Sequence, residues 1–521
     1  MLATQFTCDM AKGQGVLSGD LMMNMNFFNR DTAIGANNNP LYDNLLSGGE
    51  GWLGLRYSNN GFTGIVRFDG FQNSNLLNPT SAFSGSGIGM FSLEKEWNKL
   101  TLKAGHIYDQ IGSGIIFRGY EDRGLLIDQA VFGFQAKYRF KDNLVGNVFT
   151  GQIKNLFERY NPIIKGASIQ ADYGLGDKAY LTTGIGAVNR TMDQGSMDGV
   201  VAVVNSLDSQ DRFIPKYNSY AATLYNTLNV GDFTWYAEGA LKSEEAISTI
   251  DGLISAPGSV LYSNMGYAKS KWGLNASVKR TENFVMRTSP NEVLIRGLYN
   301  WQPIIAQIRT QRVIARYTPQ SQDVSEQSFN VSGIYTPNKK ISSNLSYTYA
   351  DDLEGEKLYR EIYGELEIRP NKKWIIHLGA QYMEYNQELY QIKSGAPLVV
   401  AMTPFAEFVY KIDKKRSIRT ELQWMNTEQD YGAWAFALVE FNIAPKWSLA
   451  LTDMYNYAPS GVNGDGLDPQ HYPNVFVAHT KGPHRFTAQY VKQVEGINCT
   501  GGVCRYEPAF SGFKFGISST F

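Results

Sequence analysis

Apolar and polar residues alternate one for one along most of this 521-residue chain, and no other feature narrows its fold as much. The stretch AVFGFQAKYRF puts Phe132, Phe134, Ala136, Tyr138 and Phe140 on one side, with Gln135, Lys137 and Arg139 on the other. KISSNLSYTYA sets Ile341, Leu345, Tyr347 and Tyr349 against Ser342, Asn344, Ser346 and Thr348. SIRTELQWMN and DFTWYAEGALK repeat the pattern, Leu422 and Trp424 opposing Glu421 and Gln423, Trp235 and Leu241 opposing Glu238 and Lys242. Successive side chains of a strand point to opposite faces, so each run is a strand with one oily and one wet side.

No stretch approaches the ~18 consecutive apolar residues that a transmembrane helix needs. A membrane-spanning barrel escapes that test, because alternating strands leave a weak hydropathy signal. The mean hydropathy of -0.29 therefore does not oppose a membrane location. Composition fits one large all-β unit: Gly (51), Tyr (31) and Phe (28) are abundant and Pro (18) is sparse. A net charge of -1 gives no support to a nucleic-acid binder, which carries a basic excess.

Turn signals add a second rhythm. Asn59-Asn60-Gly61, Asp142-Asn143, Val230-Gly231-Asp232, Ser270-Lys271, Pro337-Asn338-Lys339, Asn371-Lys372 and Ala444-Pro445-Lys446 each join two alternating runs, as tight hairpins do. Longer polar connections (29–48, 71–86, 108–128, 189–215, 281–324 and 457–471) fall between them. Short periplasmic turns alternating with long extracellular loops are what a transmembrane β-barrel needs. The pattern predicts a closed antiparallel barrel of about 24 strands (range 22–26), both termini on the periplasmic side. Within 281–324, EVLIRGLY and RVIARYT suggest one further hairpin. Trp52, Trp97, Tyr108, Trp272, Trp374 and Trp447 suit interfacial girdles. A β-propeller or stacked sandwich also has many short strands, but no blade motif repeats here.

The closing stretch FKFGISSTF puts Phe513, Phe515, Ile517 and Phe521 on one face, and is expected to pair with a first strand near Val16–Phe28. A terminal aromatic on such a strand resembles the way bacterial outer-membrane barrels finish. At the other end, residues 1–13 read as the tail of a secretory signal starting upstream, with Ala11-Lys12-Gly13 in the small-x-small form of a cleavage site. Residues 14–521 are then a single barrel domain. Cys499 and Cys504, in NCTGGVC, permit a small disulfide-closed loop in an oxidising compartment, with a redox or zinc role as the competing reading.

No catalytic signature stands out. The five histidines are scattered without metal-ligand spacing, and there is no GxSxG elbow or P-loop. No enzyme activity, cofactor or metal is expected. Charge instead concentrates in two loops. The first, DQIGSGIIFRGYEDRGLLID, groups Arg118, Glu121, Asp122 and Arg123 around Tyr120. The second, 279–316, holds Lys279, Arg280, Arg287, Arg296, Arg309, Arg312 and Arg316 against Glu282 and Glu292. Folded inward, such a loop would charge a constriction and favour anionic solutes. Left outside, its arginines would pair with lipid phosphates or neighbouring loops.

The strings IGSGIIFRGYEDRGLLID, DRFIPKYNSY, KRTENFVMRTSPNE, FNIAPKWS and VEGINCTGGVCRYEPAFSG give the chain, from about residue 16 onward, a resemblance to a family of bacterial outer-membrane barrel proteins. That resemblance implies the fold and an integral outer-membrane location, and lends no functional residues. The expected function is a porin-like channel passing or binding small solutes, with loops partly occluding a wide lumen. The alternative is a barrel subunit that docks envelope protein partners in an assembly or secretion complex; a surface enzyme comes third. Lipid is a partner in every case, and nucleic acid in none.

Overall fold

The structure, a computed structural model, describes residues 15–78, 81–249, 252–292, 296–320, 324–500 and 503–521, without the side chains of 497–500 and 503–505. Twenty-four antiparallel strands form one sheet that closes on itself. The first strand, Val16–Phe28, pairs with Ser47–Asn59 on one side and with the last, Phe510–Thr520, on the other. Closure leaves no strand edge unpaired, which a sheet surrounded by hydrocarbon requires.

The alternation sets the two surfaces, in the opposite sense to a water-soluble protein. Leu241 is 69% exposed while its neighbour Lys242 is 3% exposed, and Leu345 at 63% adjoins Ser346 at 1%. Phe134, Trp235, Leu422, Phe513 and Phe515 also face outward, while Gln135, Glu238, Glu421 and Gln423 are buried inside. An apolar exterior around a polar interior is the surface chemistry of an outer-membrane barrel, and the protein is an integral one in contact with lipid.

Tight turns join strands at one end: Asn59 to Phe62, Lys141 to Leu144, Val230 to Phe233, Lys269 to Trp272 and Asn338 to Ile341. Trp97, Trp272, Trp374 and Trp447 sit exposed at that end, as an interfacial girdle. Trp52 and Tyr108 do not join them. Trp52 pairs with lumen-facing Met22 and is buried against Phe71, and the Tyr108 hydroxyl donates to Asp128 at 2.8 Å.

The other end departs from a strict alternation of short turns and long loops. Asn155–Glu158 and Asp352–Lys357 are short there too. The strands Glu158–Gly174, Phe233–Thr249 and Gly252–Lys269 run 17, 17 and 18 residues, past the ends of their neighbours, so the chain turns back above the rim. On that extension lies a helix, Gln194–Ser206, within the polar connection 189–215. Asp193 caps it, accepting from the Ser196 amide, and Met197, Val200 and Val204 bury against Ala246 and Leu253. The expected extra hairpin in 281–324 does not form: among the described residues after Glu282, where the preceding strand ends, there is no strand, only a 3-10 turn at Ile314–Tyr317 and an isolated bridge between Arg287 and Leu298. Its apolar residues find burial inside the barrel instead.

Candidate functional site

Two loops turn into the lumen and meet there. The first, 108–130, folds as two minute hairpins, Gln110–Ile111 with Phe117–Arg118 and Glu121–Asp122 with Ile127–Asp128. The second, 283–325, crosses from one wall to the other. They are joined through backbone, Arg118 N–H donating to the Tyr299 carbonyl at 2.8 Å and Trp301 N–H to that of Gly114 at 3.0 Å. Asn300 Nδ2 reaches the Ile115 carbonyl at 3.0 Å, and the Arg118 guanidinium lies 4.4 Å from the Tyr120 ring centre and 4.9 Å from that of Trp301. Together they form a plug.

One side of the plug packs on the strands between Val131 and Glu282. Ile111, Ile116, Phe117, Phe284, Met286 and Tyr299 bury against Phe149, Ile164, Val188 and Val260 of this wall. Its cations then hold plug carbonyls: Lys242 Nζ donates to Val285 O at 2.9 Å, Arg190 to Thr288 O at 3.3 Å and Lys279 to Pro303 O at 2.8 Å. Lys242 and Arg190 share Glu245, and Lys279 pairs with Glu326 at 2.6 Å. Glu238 accepts from the Ser113 amide at 2.9 Å and so fixes the tip of the first loop.

The opposite wall works through side chains. Arg309 meets Glu361 at two points, 3.1 and 2.7 Å, with its guanidinium 3.7 Å from the Tyr363 ring centre. Both partners are buried, and Gln381 donates a further bond to Glu361 at 2.7 Å. Arg316 lies 3.6 Å from Asp430 and 4.6 Å from the Trp434 ring centre. The same carboxylate accepts from Tyr317 at 2.9 Å, Asn463 at 2.6 Å and Lys393 at 3.3 Å. Burial pushes the Asp430 carboxyl up, but Arg316, Lys393 and these hydrogen bonds together hold it below its ordinary value.

A third anchor ties the first loop to the strands beside the closure. Arg67 pairs with Asp69, with Asp128 at 3.0 Å and with Glu121, and Lys154 also reaches Asp128. Arg123 spans Glu121 and Asp20, the latter at 2.9 Å.

The residues singled out in sequence therefore scatter among several roles. Arg118, Glu121 and Arg123 belong to the first loop's anchors, and Asp122 shapes a turn by accepting from the Leu125 amide. Lys279, Arg309 and Arg316 anchor the second. Arg287 donates to the Arg296 carbonyl within that loop, and Arg280 points out of the lumen beside Glu282. Arg312 is exposed and makes no ion pair among the described residues. The basic excess of 279–316 is thus largely met by carboxylates from elsewhere, Glu326, Glu361 and Asp430. Glu326 and Glu361, with Glu238, Lys242 and Arg190, were not distinguishable in sequence from other wet-face residues, and Asp430 lies in a connection between strands.

Cys499 stands opposite Cys504 in the pairing of Gly496–Thr500 with Val503–Glu507. Their side chains, like residues 1–13, lie outside the described residues. Among the described residues no group of His, Cys, Asp and Glu could hold a metal ion.

Comparison with solved structures returns barrels. The siderophore receptor PirA of Pseudomonas aeruginosa aligns with a TM-score of 0.42 at 8% identity, over 98% of this chain and 81% of its own. The FrpB iron transporter of Neisseria meningitidis gives 0.44 at 10%, over 97% and 81%. Pseudomonas aeruginosa OpdK, solved with vanillate, gives 0.34 at 11%, over 97% and 98%. At these values the likeness is one of barrel geometry alone. No curated protein matches the chain. Over residues 1–521 it matches, and so belongs to, the family of unknown function DUF6029.

Proposed function

We propose that this barrel is a porin-like solute channel, without catalytic role, whose wide lumen is narrowed by two of its own loops. The observation that carries the reading is the plug's construction: chain-internal loops, tied to both walls, over a lumen that stays polar beneath them. Toward the tight-turn end the inner wall carries Asn264, Asn275 and Ser277 on one side and Glu365, His377, Glu407 and Arg419 on the other. Side chains of that kind are solvated by water, so the space below the plug is a wet vestibule. A barrel of 24 strands encloses more room than small solutes need, and a fixed internal plug turns that width into selective passage.

The test is purified full-length protein in a planar bilayer. Stepwise conductance, smaller than an unobstructed barrel of this strand number would give, is the expected result. A barrel that stays silent both intact and after excision of 284–324 would overturn the channel reading.

A further inference from the structure

Where the barrel closes, the plug leaves a hollow of about 280 Å³ against the inner wall. Register places its lining in two rows that run across the seam. Glu50, Asn24, Gly516 and Thr487 stand side by side in one, and Asn26, Lys514 and Gln489 in the next. Asn75 and Gly124 roof it from two different loops, so the space is built by segments from both ends of the chain. Gly516 opens it: a Cβ there would meet Thr487 Oγ1 at 2.6 Å.

The charged groups of the hollow are already engaged. Glu50 accepts from Ser74 Oγ at 2.5 Å, the Lys514 ammonium lies 4.2 Å from the Phe510 ring centre, and Glu50, Lys514 and Glu507 each have further contacts. The amides are not. Among the described residues the side chains of Asn24, Asn26 and Gln489 make no hydrogen bond, although all three line the space. Each presents an acceptor and a two-proton donor on one planar group. Neighbouring hydroxyls, which both donate and accept, are the complement of such a row. A carboxylate would meet Glu50 and Glu507 with no disengaged cation to hold it, and a cation would find carboxylates already taken.

We infer that this seam hollow is a binding subsite for a neutral polyhydroxylated solute of about monosaccharide size. The inference deepens the channel reading by naming the solute class, and binding is measurable without conduction. Saturation-transfer NMR on the full chain in detergent micelles, with glucose, alanine and succinate as separate probes, tests it. Saturable glucose binding with a Kd on the order of 1 mM is expected, with the other two at least tenfold weaker. Gly516→Trp fills the hollow and should weaken glucose binding at least tenfold. Because Gly516 lies on the closing strand, the paired change Asn24→Leu with Gln489→Leu is the second variant, folding of each being checked by heat-modifiable migration in gels. Absence of saturable glucose binding in folded wild type, preference for alanine or succinate, or unchanged binding in both folded variants would overturn the inference. Conductance that persists without glucose binding defeats the inference alone, and glucose binding by a silent barrel defeats the channel reading alone.

Discussion

The two walls hold the same plug by different physics. The wall between Val131 and Glu282 offers apolar side chains and cations that grip carbonyl oxygens, so it reads the backbone of the second loop and hardly its sequence. The wall from Glu326 onward takes the loop by its arginines, Arg309 on Glu361 and Arg316 on Asp430. Burial of apolar surface and neutral acceptors is indifferent to acid, whereas an ion pair exists only while its carboxylate is charged. The ionic wall is therefore the one at which the plug should let go first.

The largest test removes the difference altogether. Thr281 and Glu326 are direct partners on adjacent strands, so a short Gly-Ser linker can replace 284–324 without disturbing the barrel. Single-channel conductance should then rise several-fold; an unchanged step size would mean that the second loop does not limit the passage.

Breaking one ionic anchor comes next. Arg309→Met leaves the Glu361 carboxylate buried without its cation, a loss of about 3–5 kcal/mol for a buried pair. Adding Glu361→Met should recover part of it, because two apolar side chains leave no orphaned charge. Proteolysis between residues 283 and 325 reads the outcome: faster in the single variant, slower again in the double. Equal rates in the two would show that the pair itself, rather than the stranded charge, holds the loop.

On the other wall the matching change is milder. Lys242→Met removes the hydrogen bond to Val285 O, but Arg190 stays with Glu245 and the apolar cluster is untouched. A cost of about 1–3 kcal/mol is expected, confined to the first residues of the loop in hydrogen exchange. Exchange spreading to residues 305–317 would instead make the two walls one cooperative unit and erase the contrast between them.

The same contrast explains what could be read from the sequence. The wall was legible because burial on one face imposes a period of two, and runs such as DFTWYAEGALK carry it residue by residue. The closing strand was legible too, Phe513 and Phe515 lying outward as its alternation implies. The plug obeys no such period. Leu298, Tyr299, Val313 and Tyr317 bury against the inside of the barrel wherever the loop meets it, so their spacing mimics a hairpin that does not exist. Its arginines were visible as a basic excess, but Glu361 is 52 residues from Arg309 and sits in LYREIYGELEI as one more polar position. Tyr317 and Asp430 are 113 residues apart. Contacts made across a lumen leave no local trace.

The smallest expected effect is the response to acid, and it isolates Asp430. This carboxyl lies in the connection between Met425 and Ala433, and its folded-state pKa is held below the ordinary value despite burial. A depressed folded pKa contributes stability that is present above the unfolded value, 3.8, and is lost as pH falls through the folded one. Plug retention by Arg316 should therefore be constant from neutrality down to about pH 4 and weaken only below it. Asp430→Asn mimics the protonated group: it should show the acid-treated wild type's gating at neutral pH and a flatter response below pH 4. Bilayer recordings across that range check it, with closure lifetimes as the readout. If Asp430→Asn kept the wild-type acid response, the titrating group would be another carboxylate, and the acid sensitivity of this wall would not lie in the Arg316 anchor.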